Sequence, residues 1–419
     1  MKSKSPKSLS FNLLMINAFV YIALSFYMPF LSSYYSKVGL DAFEIGILFA
    51  IGPLLSIFIQ PLWAILSDRT GRRKDILTVV VLGSAISMFS YYIGRTFYTF
   101  FIATVLLSLF TTAIIPLSDA IIIRTANKNN LDFSRIRLGG TVGFAIMVIF
   151  AGIIVYRKPS IQFALGFLGY MILFIFVRRL PKEENEDKAV MLASNTTGVN
   201  QKSASFVHKD KRSLKDRFNL MNIFTTKQII FVLAYAFISQ IGLSFYGSFI
   251  GVYLTKSGLG ENTIGIVNCM AALSEIPILF SINRIIRKLT SMRLIILSCI
   301  LMSIRIFIIT GGNIAFVFLA QALQGVTYMT IYYSSATFIN THVKPGKQSQ
   351  GQSTIAVIQS GIASILGNIA GGYLVDIVGI REAYFYIAAM IIVASLLIVT
   401  IQVIFQRKEK LKIAKVDID

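Results

Sequence analysis

Cysteine, histidine and acidic residues are scarce in this sequence, and each scarcity excludes a class of site. Only two cysteines occur among 419 residues, and both of them, Cys269 and Cys299, lie inside apolar runs. We therefore expect neither a disulfide framework nor a cysteine metal site. The chain also lacks a phosphate-binding glycine-rich loop and a nucleophile motif. These absences predict that the protein is not an enzyme, has no catalytic residue and holds no metal or cofactor.

Charged residues are few as well, at 14% of the chain, whereas 55% of the residues are hydrophobic. This balance is far from that of soluble proteins and predicts an integral membrane protein. The shortage of acids leaves a net charge of +21, which in a soluble protein would indicate nucleic-acid binding. Here the basic residues fall almost wholly in alternate loops. We interpret them as determinants of topology and contacts for anionic lipids, with no nucleic-acid partner.

Twelve apolar runs reach the length of about 20 residues that a membrane-spanning helix needs. The expected fold class is all-α: a polytopic membrane protein with twelve transmembrane helices in two six-helix halves. The runs cover residues 11–35, 43–66, 75–94, 98–124, 138–156, 160–177, 228–253, 262–282, 293–310, 313–340, 351–375 and 382–405.

The predicted domains follow from these runs. The first half is 1–177, the polar segment 178–227 is a flexible cytoplasmic linker, the second half is 228–406, and 407–419 is a cytoplasmic tail. Within the linker, SLKDRFNLMNIF is interpreted either as a short interfacial helix or as a disordered stretch. His208, also in the linker, is interpreted as incidental.

One loop predicts the orientation of the protein in the membrane. In residues 61–74, PLWAILSDRTGRRK, an apolar run ends in an acid and a basic cluster around a glycine. The residues concerned are Asp68, Arg69, Gly71, Arg72, Arg73 and Lys74. Because basic loops stay in the cytoplasm, we expect this loop and both termini there, in a multi-pass protein of the plasma membrane.

The same loop resembles the signature loop between the second and third helices of the major facilitator superfamily. The resemblance implies a gating role for Asp68, Arg69, Gly71, Arg72 and Arg73. In this role Asp68 accepts hydrogen bonds or an ion pair from a neighbouring helix end and stabilises one of two rocking states.

An internal repeat agrees with this resemblance. A shift of 219 positions superimposes the tripeptide at 25–27, Ser-Phe-Tyr, on the same tripeptide at 244–246, and Gly39 and Gly46 on Gly258 and Gly265. The halves therefore form a repeat in the same orientation. In major facilitator transporters such halves rock around a substrate site at their interface.

Ionisable residues inside the spans are candidates for function, because each costs roughly 2.5 to 3.5 kcal/mol on insertion scales. The candidates are Asp119, Arg137, Glu275 and Arg305. A carboxylate and a guanidinium together can orient the hydroxyl groups of a solute. A structural ion pair between the helices is the alternative for Asp119 with Arg137.

The segment PLSDAIIIRTANKNNLDFSRIRLGGTVGF resembles the fourth and fifth helices of the oligosaccharide:proton symporters, the lactose permease group. That resemblance implies substrate binding by Asp119 and Arg137, with Phe144 stacking on a sugar ring. CILMSIRIF resembles the ninth helix and places a functional arginine at Arg305. Glu275 lies near the position of the eighth-helix acid of the family.

The tenth span departs from that group. Its AQALQGVTYMT has Gln321, Gln324 and Thr327 where the lactose permease has proton-handling residues. Since none of these side chains carries a proton, coupling would use Glu275, supported by Arg305, or Asp119, or be absent.

The function expected is therefore secondary active transport: proton-coupled symport of a small polyhydroxylated solute, a sugar or nucleoside, by alternating access. The partners are this solute, protons and the bilayer, and the chain is expected to be a monomer. The alternative is a drug or metabolite:proton antiporter that works in efflux. A receptor or scaffold without transport is disfavoured, because intramembrane charges would then serve little purpose.

The topology can be tested with reporter fusions at Lys158 and Lys256. Both positions are in loops on the side with few basic residues, so both reporters should score outside the cell. A cytoplasmic score at either position would contradict the predicted topology.

Overall fold

The computed structural model describes residues 6–180, 227–343 and 347–416. Every regular element in these ranges is helical, and twelve helices, α1–α12, are long and apolar enough to cross a membrane. Their spans are Ser8–Val38, Ala42–Thr70, Arg73–Ile93, Phe97–Lys128, Arg135–Arg157, Ile161–Arg178, Gln228–Lys256, Glu261–Ile282, Ser291–Gly311, Ile314–His342, Gln350–Val378 and Ile380–Lys408. The predicted all-α fold with twelve spans is confirmed. The predicted linker, including His208 and SLKDRFNLMNIF, lies outside the described residues except at its two ends.

The last helix is longer than its apolar run. It extends over Ile380–Val416, well past the predicted span end at residue 405. The added sequence, QRKEKLKIAKV, contains no glycine or proline and is rich in good helix formers. The helix of α12 therefore continues into the segment that was predicted as a tail.

Several spans are interrupted. A 3₁₀ turn at Met28–Phe30 breaks α1 where Pro29 supplies no backbone N–H. Two π turns, Gly325–Met329 and Val357–Ala363, interrupt α10 and α11. Such π turns often mark functional sites, because they expose backbone groups and change the face that a helix presents.

The helices pair in the same way in the two halves. In the first half, α1 packs on α5 and α6, α2 packs on α4, and α3 packs on α4 and α6. In the second half, the corresponding helices make the same contacts: α7 packs on α11 and α12, α8 packs on α10, and α9 packs on α10 and α12. Between the halves, α2 lies against α11, α5 against α8, and α1 against α7. This arrangement is the one that a parallel repeat predicts.

The two ends of the bundle differ. α2 runs from Ala42 at one end, here called the far end, to Thr70 beside the 69–74 loop, here called the loop end. At the far end the halves approach closely, because glycines lie at the contacts. A Cβ added to Gly152 or Gly265 would lie only 2.7 Å from a backbone oxygen of the opposing helix. Any larger residue at these two positions would force α5 and α8 apart.

Polar bonds between the halves close the same end. Glu261, at the start of α8, is 1% exposed and forms an ion pair with Lys37 of α1. The Ser33 hydroxyl donates to the Glu261 carboxylate at 3.0 Å, and Thr255 of α7 donates to Ser33 at 2.8 Å. These contacts join α1 to α7 and α8.

A second carboxylate joins α11 to α2. The backbone N–H groups of Ala42 and Phe43 donate to the two oxygens of Asp376, at 2.9 and 2.7 Å. The first N–H groups of a helix have no partner within the helix, and a negative charge beside them is favourable. Asp376 therefore caps a helix of the opposite half, and this bond exists only while the far end is closed.

At the loop end, a cavity of about 370 Å³ lies between α2, α4 and α11. Gln60, Asp68, Ala120 and Ser353 are among its lining residues. The far end is therefore sealed by bonds between the halves, while the cavity at the loop end is lined mainly by residues of the first half, with Ser353 as its lining residue from the second half.

Removal of the Asp376 cap should favour opening of the far end. In a chain whose two native cysteines are replaced, a reporter Ser32→Cys is buried in the seal, since Ser32 is 2% exposed. Asp376→Ala should raise the rate at which this cysteine reacts with a maleimide. Hydrogen bonds to charged groups contribute about 1.5 kcal/mol or more, so we expect an increase of about tenfold.

The matched control for this substitution is Glu382→Ala. Glu382 is an exposed acid in the first turn of α12 at the same end of the bundle. Its replacement should leave the labelling rate of the reporter unchanged. Equal rates in the Asp376→Ala variant and the unaltered chain would show that the cap does not hold the far end closed.

Candidate functional site

Asp119 and Arg137 form an ion pair between α4 and α5, with Nη1 of Arg137 donating to Oδ2 of Asp119 at 3.1 Å. Both side chains remain partly exposed. The other carboxylate oxygen of Asp119, Oδ1, is buried and has no hydrogen-bond partner within the part of the chain that the structure describes. The pair is thus formed as the sequence suggested, and it retains an acceptor that is not used by the protein.

α1 lies directly against this pair. The Asn17 side chain accepts a hydrogen bond from the Gly140 backbone N–H at 3.1 Å, and a Cβ at Gly140 would collide with Asn17 and Tyr21. The close approach of α1 to α5 brings the Tyr21 ring to 5.9 Å from the guanidinium carbon of Arg137. Sequence reasoning missed Tyr21, because an aromatic residue in an apolar span gives no signal of its own.

Glu275 lies on α8, across the interface from the ion pair. Its carboxylate accepts a hydrogen bond from Nε2 of Gln324 on α10 at 3.4 Å. Among the described residues it forms no ion pair, although the charges of Arg305 on α9 and of Arg137 on α5 act on it. The structure therefore brings Asp119, Arg137 and Glu275 into one region between the two halves.

Three tyrosines of α10 complete this region. Tyr328 and Tyr333 lie near both Glu275 and Arg137. The Tyr332 ring lies 6.1 Å from Tyr328 and 5.5 Å from Tyr333, and Tyr332 remains half exposed. The region thus combines two acids, one guanidinium and several aromatic faces. The TYMTIYY run that supplies these tyrosines was visible in the sequence, but helical periodicity alone does not show which face meets the other half.

Arg305 is near enough to Glu275 for its charge to act on that carboxyl group, but its direct contacts are with other residues. It is 1% exposed, and its guanidinium stacks over the Tyr246 ring at 4.2 Å. Its hydrogen bonds go to neutral acceptors of α10, the Ala320 carbonyl, the Gln321 side chain and the Thr327 hydroxyl. No ion pair joins Arg305 to Glu275 in the described ranges. Two of its partners, Gln321 and Thr327, were noted in the sequence for another reason: they lie in the span where the lactose permease has proton-handling residues.

Phe144 lies two helical turns from Arg137 on α5. Its side chain is partly buried and packs against the hydrophobic core. A direct contact with the ion pair is not among its described interactions. Its stacking on a sugar ring stays a prediction.

The loop residues lie apart from this region, at the end of α2. Asp68 pairs with Arg73, the first residue of the helix Arg73–Ser87, at 3.3 Å, and Arg72 pairs with Asp75 at 2.8 Å. Gly71 ends α2 in the left-handed conformation with φ 65°, which favours glycine. Asp68 and Arg73 both line the cavity at the loop end, and their gating role stays a prediction.

Relatives match nearly the full length of the chain. The transporter YwbF of Bacillus subtilis is 25% identical over 368 residues, which are 87% of this chain and 86% of that protein. A maltose permease of Geobacillus stearothermophilus is 23% identical over 383 residues, 90% of this chain and 91% of that protein. Both similarities extend across the two halves.

The fold matches solved structures as well. The crystal structure of a mutant of the nucleoside transporter NupG superimposes with a TM-score of 0.81 at 16% identity, covering 94% of this chain and 99% of that one. A family model described as the MFS_1 like family matches residues 11–386. Since that match covers well over half of the chain, this protein belongs to the MFS_1 like family of major facilitator transporters.

Proposed function

We propose that this transporter carries a small polyhydroxylated solute, a sugar or a nucleoside, together with a proton. The observation that supports this most is the composition of the region between the halves. It combines an Asp119–Arg137 pair that retains a free acceptor with a separate acid, Glu275, that has no ion-pair partner among the described residues.

In this proposal the ion pair binds the solute. The unpartnered Oδ1 of Asp119 accepts hydrogen bonds from solute hydroxyls, while the guanidinium donates in a fixed fork. Tyr21, Tyr328 and Tyr332 offer apolar ring faces with polar hydroxyl tips, which suit sugar rings and nucleobases. Phe144 adds a further aromatic face. The names of a maltose permease and a nucleoside transporter among the similar proteins agree with these two solute classes.

Glu275 carries the proton. Desolvation disfavours an ionised carboxyl group, and a group without an ion-pair partner gains or loses a proton more readily than one locked to a cation. Asp119 is less suited, because Arg137 neutralises it directly. Protonation of Glu275 removes a charge from the interface between the halves, so the halves can close around a neutral site.

Alternating access then uses the two ends of the bundle. The far end is held by the bonds of Glu261 and Asp376, and the cavity at the loop end is lined by Asp68 and Arg73. With the loop in the cytoplasm, this is the state that exchanges solute with the cytoplasm. Opening of the far end must break the seal, and binding of solute and proton must offset the energy of those bonds.

The alternative, an antiporter that exports a drug or metabolite, uses the same residues differently. A cationic solute would bind to ionised Glu275 in place of the proton, so the two would compete and move in opposite directions. A neutral solute leaves Glu275 free to be protonated while solute is bound. The presence of the guanidinium of Arg137 in the same region disfavours cations, and for this reason we place symport first.

The binding role of the ion pair can be separated from a structural role. Asp119→Asn and Arg137→Lys should each weaken solute binding by about tenfold to a hundredfold, because each removes a charge-assisted hydrogen bond. The measurement is binding of labelled disaccharides and nucleosides to the purified transporter. The exchange Asp119→Arg with Arg137→Asp should not restore binding.

The matched control is the exposed ion pair between Arg135 and Asp132, in which Nε of Arg135 lies 3.3 Å from Oδ2 of Asp132. Arg135 has the same side chain as Arg137 and precedes it by two residues. Arg135→Lys should bind solute as the unaltered chain does. Recovery of transport in the exchanged pair would show that Asp119 and Arg137 only lock α4 to α5.

The coupling role of Glu275 predicts a specific loss. Glu275→Gln should abolish accumulation driven by a pH gradient in proteoliposomes, yet it should permit exchange of internal for external solute, since the neutral amide resembles the protonated acid. Glu382→Gln, which alters an exposed acid, should leave both activities intact. Accumulation that survives in Glu275→Gln would transfer the proton to Asp119 or remove coupling altogether.

A further inference from the structure

Arg305 bridges a break in α10. Its three hydrogen bonds reach the Ala320 carbonyl at 2.8 Å, the Gln321 side chain at 3.0 Å and the Thr327 hydroxyl at 3.3 Å. Ala320 and Gln321 end the first part of α10, Ile314–Ala322, whereas Thr327 lies inside the π turn that follows. A planar guanidinium has donors in a fixed geometry, so these bonds fix the first part of the helix relative to the turn.

The same π turn meets α8 beside Glu275. The backbone N–H of Gly325 donates to the Ser274 hydroxyl at 3.0 Å, and a Cβ at Gly325 would collide with the backbone of Ser274. Gln324, the residue before the turn, donates to Glu275. Arg305 and Glu275 therefore contact opposite ends of one short segment, residues 324–327, without contacting each other.

From this arrangement we infer that Arg305 is a positioning residue: it holds the π turn of α10 so that Gln324 donates to the Glu275 carboxylate. This inference rests on the proposed role of Glu275 as the proton carrier. It assigns to Gln324 and Thr327 a part in coupling that neither can have as a proton carrier.

The consequence concerns how firmly Glu275 holds its proton. A hydrogen bond donated to a carboxylate favours the ionised form. Loss of the Gln324 bond therefore leaves Glu275 protonated up to a higher pH. Of the residues that the structure describes, Arg305 of α9 and Arg137 of α5 are the charged groups that act on Glu275, and Tyr328 and Tyr333 are the ionisable groups of α10 near it. All four are kept when Thr327 is replaced.

The test is a pH titration of the protonated-carboxyl band in infrared difference spectra of the purified full chain, which needs no solute. The part of the band that Glu275→Gln removes is assigned to Glu275. Thr327→Val, which changes no charge, should shift the midpoint of this part upward by about half to one pH unit. Arg305→Lys should shift it in the same direction, because lysine keeps the charge but cannot make the three bonds of the fork.

Two results would overturn the inference. If Arg305 acts on Glu275 through its charge, Arg305→Lys and Thr327→Val both keep the midpoint of the unaltered chain and only Arg305→Met shifts it. If Thr330→Val shifts the midpoint as much as Thr327→Val, the effect is general to α10, since Thr330 is buried on the same helix but is not a partner of Arg305. Size-exclusion profiles identify any variant that is misfolded, and Thr327→Val, the mildest change, keeps the test decisive.

The proposed function fails by a different result. If Glu275→Gln still accumulates solute under a pH gradient, Glu275 is not the proton carrier, whatever the infrared midpoints are. If it loses accumulation but Thr327→Val leaves the midpoint unchanged, Glu275 keeps its role and only the positioning by Arg305 is wrong.

Discussion

The cost of burying charge in a bilayer governs where the functional groups of this protein lie. No water is available inside the hydrocarbon region, so every ionised side chain there needs a partner or a cavity. The four candidate ions inside the spans meet this need in three ways. Asp119 and Arg137 neutralise each other, and Arg305 contacts neutral acceptors and an aromatic ring. In the part of the chain that the structure describes, Glu275 receives one hydrogen bond, from the Gln324 amide. The group with the least compensation is the one best able to change its charge.

The same cost explains the seal at the far end. Glu261 is buried there with Lys37 as its partner, and Asp376 lies at the start of α2, where unpaired N–H groups receive it. Within the described ranges, both carboxylates have partners only in the opposite half. Separation of the halves would expose the buried Glu261 to water, which would solvate its carboxylate again. The bonds between the halves are therefore stable while water is excluded from the far end and weaken once water enters. Alternating access requires bonds that can be broken and formed again in this way.

The sequence allowed the spans and the intramembrane ions to be predicted, because hydrophobic runs and isolated charges are local signals. It also placed Asp119 with Arg137, since their spacing matched a known segment. It could not show that Arg305 bonds to α10 and not to Glu275, because that choice depends on how three helices pack. The π turns were equally hidden: QALQGVTYM contains no proline, and its break arises from the contacts of Gly325 and Thr327 with α8 and α9.

In the proposed mechanism, α10 takes part in proton coupling through side chains that do not themselves carry the proton. Gln321, Gln324 and Thr327 cannot titrate, yet each forms a hydrogen bond to one of the two ionisable side chains that flank the helix, Arg305 and Glu275. A neutral amide or hydroxyl group acts on an ionisable partner through a hydrogen bond. Its effect on the partner's charge therefore depends on where the side chain is placed. Position along α10 is set by the π turn, where a shift of one residue would turn Gln324 away from Glu275. Under the proposed coupling, Glu275 of α8 is the acid that changes its charge, and the position of Gln324 on α10 determines when it does so.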